Sequence, residues 1–472
     1  MAINQILLLG ISGLVLGRLG RGKGRICWLL AASVFFVFWM QPPLPLRGLS
    51  FLLPLFALGL VVLAWAATAS PSGLRSAENW RAAGLMLAVV LALAATRDLG
   101  PKNLLPAPPP ALGQTLGTLA FLALAGVGLA YGAKKRPLVA TWSVFGLLLT
   151  LFLILKTPAL SQAVSRLWRL WHYQNPTLAS ALDIRWLGYS YLAFRLLHTL
   201  RDRQSGRLPE ANLGEYLTYV IFFPALAAGP IDRIERFLKD LRAPASDFTT
   251  GVLEGGQRLA VGLFKKFVVA DTLAMIALNP ISAHQARSAW GAWILLYAYA
   301  FQIYFDFSGY TDIAIGLGQW MGIRLPENFR QPYRQPNLTM FWNNWHITLT
   351  QWFRSYFFNP FVRSLRRRKR LSTGGVLLVS QLATMGLIGL WHGVAGHFLL
   401  WGIWHGLGLF IQNRWSSFWR PRLGNLSGGK QRALHVGSVL LTFHFVALGW
   451  VWFVLPTASA WHFLLKLGGI FP

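Results

Sequence analysis

The sequence predicts an all-α, polytopic integral membrane protein, and three observations carry that prediction. Of 472 residues, 54% are hydrophobic and only 12% are charged, whereas a soluble domain is usually about 25% charged. The apolar residues are gathered into runs, at 51–69, 82–95, 111–131 and 139–155. Each is long enough, or nearly so, for the ~20 helical residues that cross a ~30 Å hydrocarbon core. Basic residues fall in short clusters between the runs. Hydropathy divides the chain into roughly eleven to thirteen transmembrane or re-entrant helices, and lipid tolerates such repeated spans only as a helical bundle whose backbone is internally paired.

The formal charge of +29 invites a nucleic-acid reading, which the distribution of the charge excludes. Arg18, Arg21, Lys23 and Arg25 form one cluster, Lys134, Lys135 and Arg136 a second, and residues 363–370 a third. Loops of this kind are held in the cytoplasm by the positive-inside rule. That assignment is self-consistent through five spans, puts the N-terminus outside, and leaves the Pro-rich stretch 106–110 in an outer loop. The first apolar run follows almost directly on Met1, with neither a basic n-region nor a small-residue cleavage site, and reads as a retained span. The single cysteine, Cys27, excludes an internal disulfide and a Cys-based metal site. It reads as a small apolar residue at the start of the second span.

Three segments follow from texture: transmembrane helices over 1–180, a polar-studded core over 181–412, and a C-terminal loop and helix over 413–472. In the core, each polar group inside an apolar run needs a reason. Residues 215–229, EYLTYVIFFPALAAG, are short, contain Pro224 and have basic residues on both sides; a re-entrant or interfacial segment fits better than a crossing. In FDFSGYTDIAIG, Asp306 and Asp312 must be partnered or face water, and pairing with Arg or a helix N-terminus is favoured over use as an acid, base or ion ligand. In FWNNWHITLTQWFR, residues Phe341, Trp342, Trp345, Leu349, Trp352 and Phe353 form one apolar stripe at helical spacing. Asn343, Thr350 and Arg354 lie opposite, with His346 at the border, as on a membrane-interface helix. Residues 375–411 would make a helix longer than about 50 Å, so a break is expected at Gly393 and Gly396. His392 of LWHG then lies beside the break, and His405 recurs in WHG on the next helix.

No carboxylate follows Glu327, so any carboxylate that orients His346 or His392 must come from earlier in the chain, Asp306 and Asp312 being nearest. No Ser-His-Asp arrangement, phosphate-cradling glycine loop or metal-ligand spacing is visible. Histidine is left as the reactive base.

From Asp183 to Leu409 the chain resembles the membrane-bound O-acyltransferase (MBOAT) superfamily, especially its alginate O-acetyltransferase and D-alanyl transfer branches. The similar segments are, in order, LGYSYLAFRLLHTLRD, FFPALAAGPIDR, GLFKKFVVADTLA, FDFSGYTDIAIGLG, PENFRQPY, FWNNWHITLTQWFR and GLWHG. The resemblance implies a membrane tunnel in which His392 is catalytic and His346 is the second required position. It also implies transfer of an acyl group, acetyl by preference, from a thioester, either acyl-CoA or an acyl-carrier protein, with no tightly bound cofactor. The acceptor it leads us to expect is a hydroxyl of an envelope polysaccharide, or a periplasmic or extracellular partner transferase. Asn343 or Asn344 is assigned to the oxyanion. Arg366, Arg367, Arg368 and Lys369 either anchor the chain to anionic membrane lipid or dock the donor. The location implied is the cell membrane, inner or plasma, with multiple passes. The alternatives from other classes are a proton-coupled transporter and a haem protein using paired histidines; within the superfamily the alternative is a lipid or protein acylator.

Overall fold

A computed structural model describes residues 3–19, 24–70, 76–101, 104–243, 248–419 and 428–471. The basic residues Arg21 and Lys23 of the first cluster lie outside these. The described residues are helical, and they divide into two compact units, Met1–Leu259 with Ile313–Pro326, and Ala260–Asp312 with Glu327–Pro472. These spatial units do not coincide with the three segments read from texture and motif.

The first unit begins with α1 (Ile3–Leu19), α2 (Arg25–Trp39), α3 (Leu49–Thr68), α4 (Ala77–Leu99), α5 (Leu112–Lys135) and α6 (Pro137–Lys156). α3 is apolar all round and therefore belongs inside; it packs against α5, α6, α8 and α9. α5 and α6 instead turn Leu116, Phe121, Leu124, Leu149 and Leu153 outward, the pattern of helices that face lipid. α7 (Pro158–Trp171) is inverted: Ser161, Ser165 and Arg169 are buried, while Leu160, Leu167, Leu170 and Trp171 are exposed. Its inward polar face is satisfied by Asp183, which accepts from Arg169 Nη2 at 2.9 Å and Ser165 Oγ at 2.6 Å.

α8 (Tyr189–Gln204), α9 (Leu213–Val220) and α10 (Ile234–Arg242) follow. At eight residues α9 is about 12 Å long, too short to cross, as the sequence led us to expect. Its ends explain the path. Arg242, at the close of α10, donates to Glu215 Oε1 at 2.7 Å and to the Glu210 carbonyl at 2.7 Å, so the chain comes back to where it went in. Arg195 of α8 holds the turn between, donating to the carbonyls of Val220 and Ala225, each at 2.8 Å. Arg25 departs from the sequence reading. It is buried, and donates to the carbonyls of Asp240, Leu241, Ala243, Met321 and Gly322. It ties together the C-terminal ends of two helices, the one closing at Arg242 and the one closing at Trp320; it does not anchor a loop to lipid.

α11 (Phe248–Leu263) runs into a π-helical stretch, Phe264–Ala270, then α12 (Asp271–Ala274), α13 (Pro280–Gln285) and the 32-residue α14 (Ala289–Trp320). The second unit continues with α15 (Leu338–Asn344), α16 (Ile347–Phe353), α17 (Asn359–Arg368), α18 (Thr373–His392), α19 (Gly396–Trp419), α20 (Gly428–Val454) and α21 (Thr457–Leu467). The break expected near Gly393 and Gly396 is present. α18 and α19 pack as a hairpin at backbone contact: a Cβ on Gly389 would lie 2.2 Å from the Phe398 carbonyl oxygen, and one on Gly402 2.4 Å from that of Met385. Among the described residues six helices are long and apolar enough to cross a membrane, with α1 and α2 shorter apolar helices. The sequence count is higher because it includes short segments such as α9 and long, polar-studded helices such as α14 and α19, which fall short in length or in apolar composition respectively.

Candidate active site

The single interfacial helix expected over residues 341–354 does not form. α15 ends at Asn344, α16 begins at Ile347, and His346 between them takes left-handed backbone, φ 44°, ψ 53°. That conformation costs a residue bearing a Cβ about 1–2 kcal/mol and persists where its surroundings over-determine it. The aromatic stripe is also not interfacial. Phe341, Trp342, Trp345, Leu349 and Phe353 are buried in the second unit. Trp345 packs on Phe341 with ring centroids 5.6 Å apart and on Trp450 at 5.1 Å.

Asn328 is what holds His346 in place. It is fully buried. Its carbonyl accepts from Ile347 N at 2.9 Å, and its Oδ1 accepts from Thr348 N at 3.1 Å and Thr348 Oγ1 at 2.9 Å. The same Oδ1 lies 3.1 Å from His346 Nδ1. The Thr348 N–H identifies that atom as the amide oxygen, so Nδ1 must be the donor and Nε2 carries the lone pair. Nε2 is buried and, among the described residues, has no hydrogen-bond partner; the same is true of Asn328 Nδ2. Burial pushes the imidazole down to about 3, so the ring is neutral at physiological pH. A buried lone pair of fixed direction with nothing to accept calls for an explanation, which a bound ligand or a water would supply. The orienting group is an amide. The carboxylate expected from Asp306 or Asp312 is engaged elsewhere.

His392 closes α18 and is half-buried. Its ring lies against Trp391 at 4.5 Å, Phe453 at 4.7 Å, Trp401 at 5.5 Å and Phe398 at 6.1 Å between centroids. Trp391 is also 6.3 Å from the His346 ring, so the two histidines meet one indole from different elements. His405 is one further indole away: its ring is 5.0 Å from Trp401 and 5.1 Å from Trp342. It is fully buried, and neither ring nitrogen has a partner among the described residues.

The other expected residues are placed as follows. Asp312 Oδ2 accepts from Lys265 Nζ at 2.6 Å, and Asp306 pairs with Lys266. Both are charge pairs, with lysine in place of the expected arginine or helix end. The lysines belong to the π-helical stretch, a distortion common at functional sites. Asn343 is exposed and accepts from Arg354 Nη2 at 2.5 Å. Asn344 donates to its own helix at the Met340 carbonyl, 2.8 Å away. Neither is bonded to His346. Arg366, Arg367, Arg368 and Lys369 are exposed at the end of α17. Among the described residues no group of three or more His, Cys, Asp or Glu is placed to hold a metal ion.

Sequence reasoning missed Asn328, Lys265 and Lys266. Two adjacent lysines in the apolar run FKKFVV were a usable signal, since intramembrane cations need counter-charges. Asn328 had no comparable signal, because its bonding depends on a left-handed residue eighteen positions away.

Residues 34–427 match the membrane-bound O-acyltransferase family. The chain is 35% identical over 253 residues to a teichoic acid D-alanyltransferase of Streptococcus thermophilus, covering 51% of this chain and 60% of that one. It is 37% identical over 271 residues to a probable alginate O-acetylase of Pseudomonas aeruginosa, covering 57% and 48%. It is 33% identical over 241 residues to a peptidoglycan O-acetyltransferase of Helicobacter pylori, covering 51% and 43%. The chain thus spans about half the length of these curated relatives.

Proposed function

Since the chain belongs to the membrane-bound O-acyltransferase family, we propose that it moves an acyl group, acetyl by preference, from a thioester to a hydroxyl of a cell-envelope polymer, or to a partner transferase that completes the delivery. The relatives' names, which specify alginate, peptidoglycan and teichoic acid, support an envelope acceptor. The location that suits such an acceptor is the cell membrane. The observation that carries the reading is the unpartnered, directed Nε2 of His346 on the same indole as His392.

His392 is the general base. It removes the acceptor hydroxyl proton as that oxygen bonds to the thioester carbonyl carbon; the C–S bond then breaks, and the imidazolium returns the proton to the departing thiolate. His346, with a pKa too low for an efficient base at neutral pH, accepts a hydrogen bond from a neighbouring hydroxyl and holds the acceptor. Asn328 Nδ2 is the better-placed candidate donor to the carbonyl oxyanion, since the Asn344 amide is engaged by its own helix. The donor is an acyl-CoA or an acyl-carrier protein, both anionic, and Arg366, Arg367, Arg368 and Lys369 draw it in.

The test uses purified full-length protein in proteoliposomes, supplied with acetyl-CoA or acetylated carrier protein, with thiol release followed by absorbance. Mass spectrometry of envelope glycans from cells with and without the chain supplies the acceptor. Thiol release should be lost at least ~100-fold in His392→Ala. Envelope polymers with identical acylation in both cell types, and no thiol release from either donor, would refute the proposal.

A further inference from the structure

The first unit holds a cavity of 1160 Å³, larger than the ~300–1,000 Å³ usual for small-molecule sites. It lies where the α2–α3 and α4–α5 connections and the end of α7 come together, at the helix ends opposite Arg18, Lys135–Arg136 and Arg201–Arg207. Its floor is Leu52 and Phe56 of α3 and Phe121 of α5, both helices apolar enough to span a membrane. Its rim carries Arg47 and Arg97, with Trp171 and Tyr173 beside them.

We infer that this cavity binds a lipid with an anionic, phosphate-bearing headgroup, its chain on the apolar floor and its headgroup at Arg47 and Arg97. Three observations support that occupant. First, the helix that walls the cavity, α7, turns its leucines outward and its serines inward. Its surroundings are therefore hydrocarbon, and an apolar void beside it is filled by a chain, not by water. Second, the rim is cationic and prepared. Arg97 is held by donating one Nη1–H to the Pro109 carbonyl at 3.0 Å, and its ion pair with the exposed Asp98 is long, 3.9 Å from Nε. Its remaining N–H groups suit phosphate. Third, the rim aromatics sit as they do at a membrane interface. Trp168 stacks on His172 at 4.5 Å. Tyr173 is kept at φ 53°, where a helix end ordinarily uses glycine, and it is almost wholly exposed. The floor residues Leu52, Phe56 and Phe121 offer a glycan no hydrogen-bond partners, although Ser50, Gln114, Thr118 and His172 also line the cavity; binding of a soluble oligosaccharide tests that alternative.

The test is native mass spectrometry of the full chain in uncharged detergent, with phosphatidylglycerol and phosphatidylcholine added in equal amounts. Wild type should retain phosphatidylglycerol about tenfold over phosphatidylcholine. In R47Q/R97Q the preference should fall to near parity while some lipid is still held. Gly117→Leu adds a side chain to the cavity lining at a position where a Cβ meets nothing within 4 Å, and should weaken retention of both lipids without a fall in melting temperature. Equal retention of the two lipids by wild type, or a preference untouched in R47Q/R97Q, would overturn the assignment. So would binding of inorganic phosphate or a soluble anionic oligosaccharide in place of lipid.

Discussion

His346 and Asn328 define the account at the scale of single residues. If Asn328 sets the imidazole tautomer, Asn328→Ala should lower acyl transfer by about tenfold or more. Asn328→Asp, which keeps an acceptor for Nδ1, should restore part of the loss. Equal damage from both would contradict control of the tautomer through Oδ1 and trace the loss to the missing Nδ2 donor or to packing. Burial of His346 has a second consequence. Its folded pKa is about 3 against ~6.5 when unfolded, so between these values the unfolded chain binds a proton that the folded chain does not. Stability should therefore fall as pH drops below ~6.5, by up to about 1.4 kcal/mol per pH unit from this group. Melting curves at pH 7, 6, 5 and 4 should show a shallower decline for His346→Gln than for wild type; parallel curves would contradict a buried, neutral imidazole. The histidines themselves were legible in the sequence, because imidazole in an apolar run stands out. Their environment was not. The helical period of residues 341–353 is real, but the left-handed turn at His346 divides it, and the stripe faces Trp450 and Phe341 rather than the headgroup layer.

Among the elements, the α18–α19 hairpin and the paired lysines carry most of the weight. Gly389 is pressed against the Phe398 carbonyl, so even Gly389→Ala must force α18 and α19 apart. The expected result is loss of the folded protein from membranes, seen as a collapsed gel-filtration peak; a normal peak and normal activity would show the contact to be yielding. Asp312→Asn leaves Lys265 without its charge partner. The Lys265 side chain is 27% exposed, so the loss should be ~2–3 kcal/mol, below that of a fully buried pair. Adding Lys265→Met should recover much of it. A double variant no more stable than Asp312→Asn would mean that Asp312 acts through something other than this pair. The break after His392 could be read from length alone, since no single helix of that span fits the membrane. Which charges pair could not, because the lysine and its aspartate lie 47 positions apart in the chain, and the adjacent lysines signal only that counter-charges are needed.

For the whole molecule, membrane insertion and family membership were legible from composition and ordered motifs, while the division into two compact units was not: α11 and α14 each run from one unit into the other. The exposed cluster at the end of α17 bears on the donor. Replacing Arg366, Arg367, Arg368 and Lys369 with Gln should raise the donor KM at low salt and flatten its dependence on ionic strength, as expected when screened charges steer an anion. Equal KM values and equal salt responses would leave those residues as a lipid anchor. The central claim is that His346 and His392, which both lie against Trp391, work on one acyl transfer. Turnover of His346→Ala, His392→Ala and the double variant, measured in proteoliposomes with thioester donor and polymer acceptor, tests it most directly. Residues that act as a unit are non-additive, so the double variant should be no slower than His392→Ala alone. Losses that multiply, or near-normal turnover in a well-folded single variant, would contradict the account.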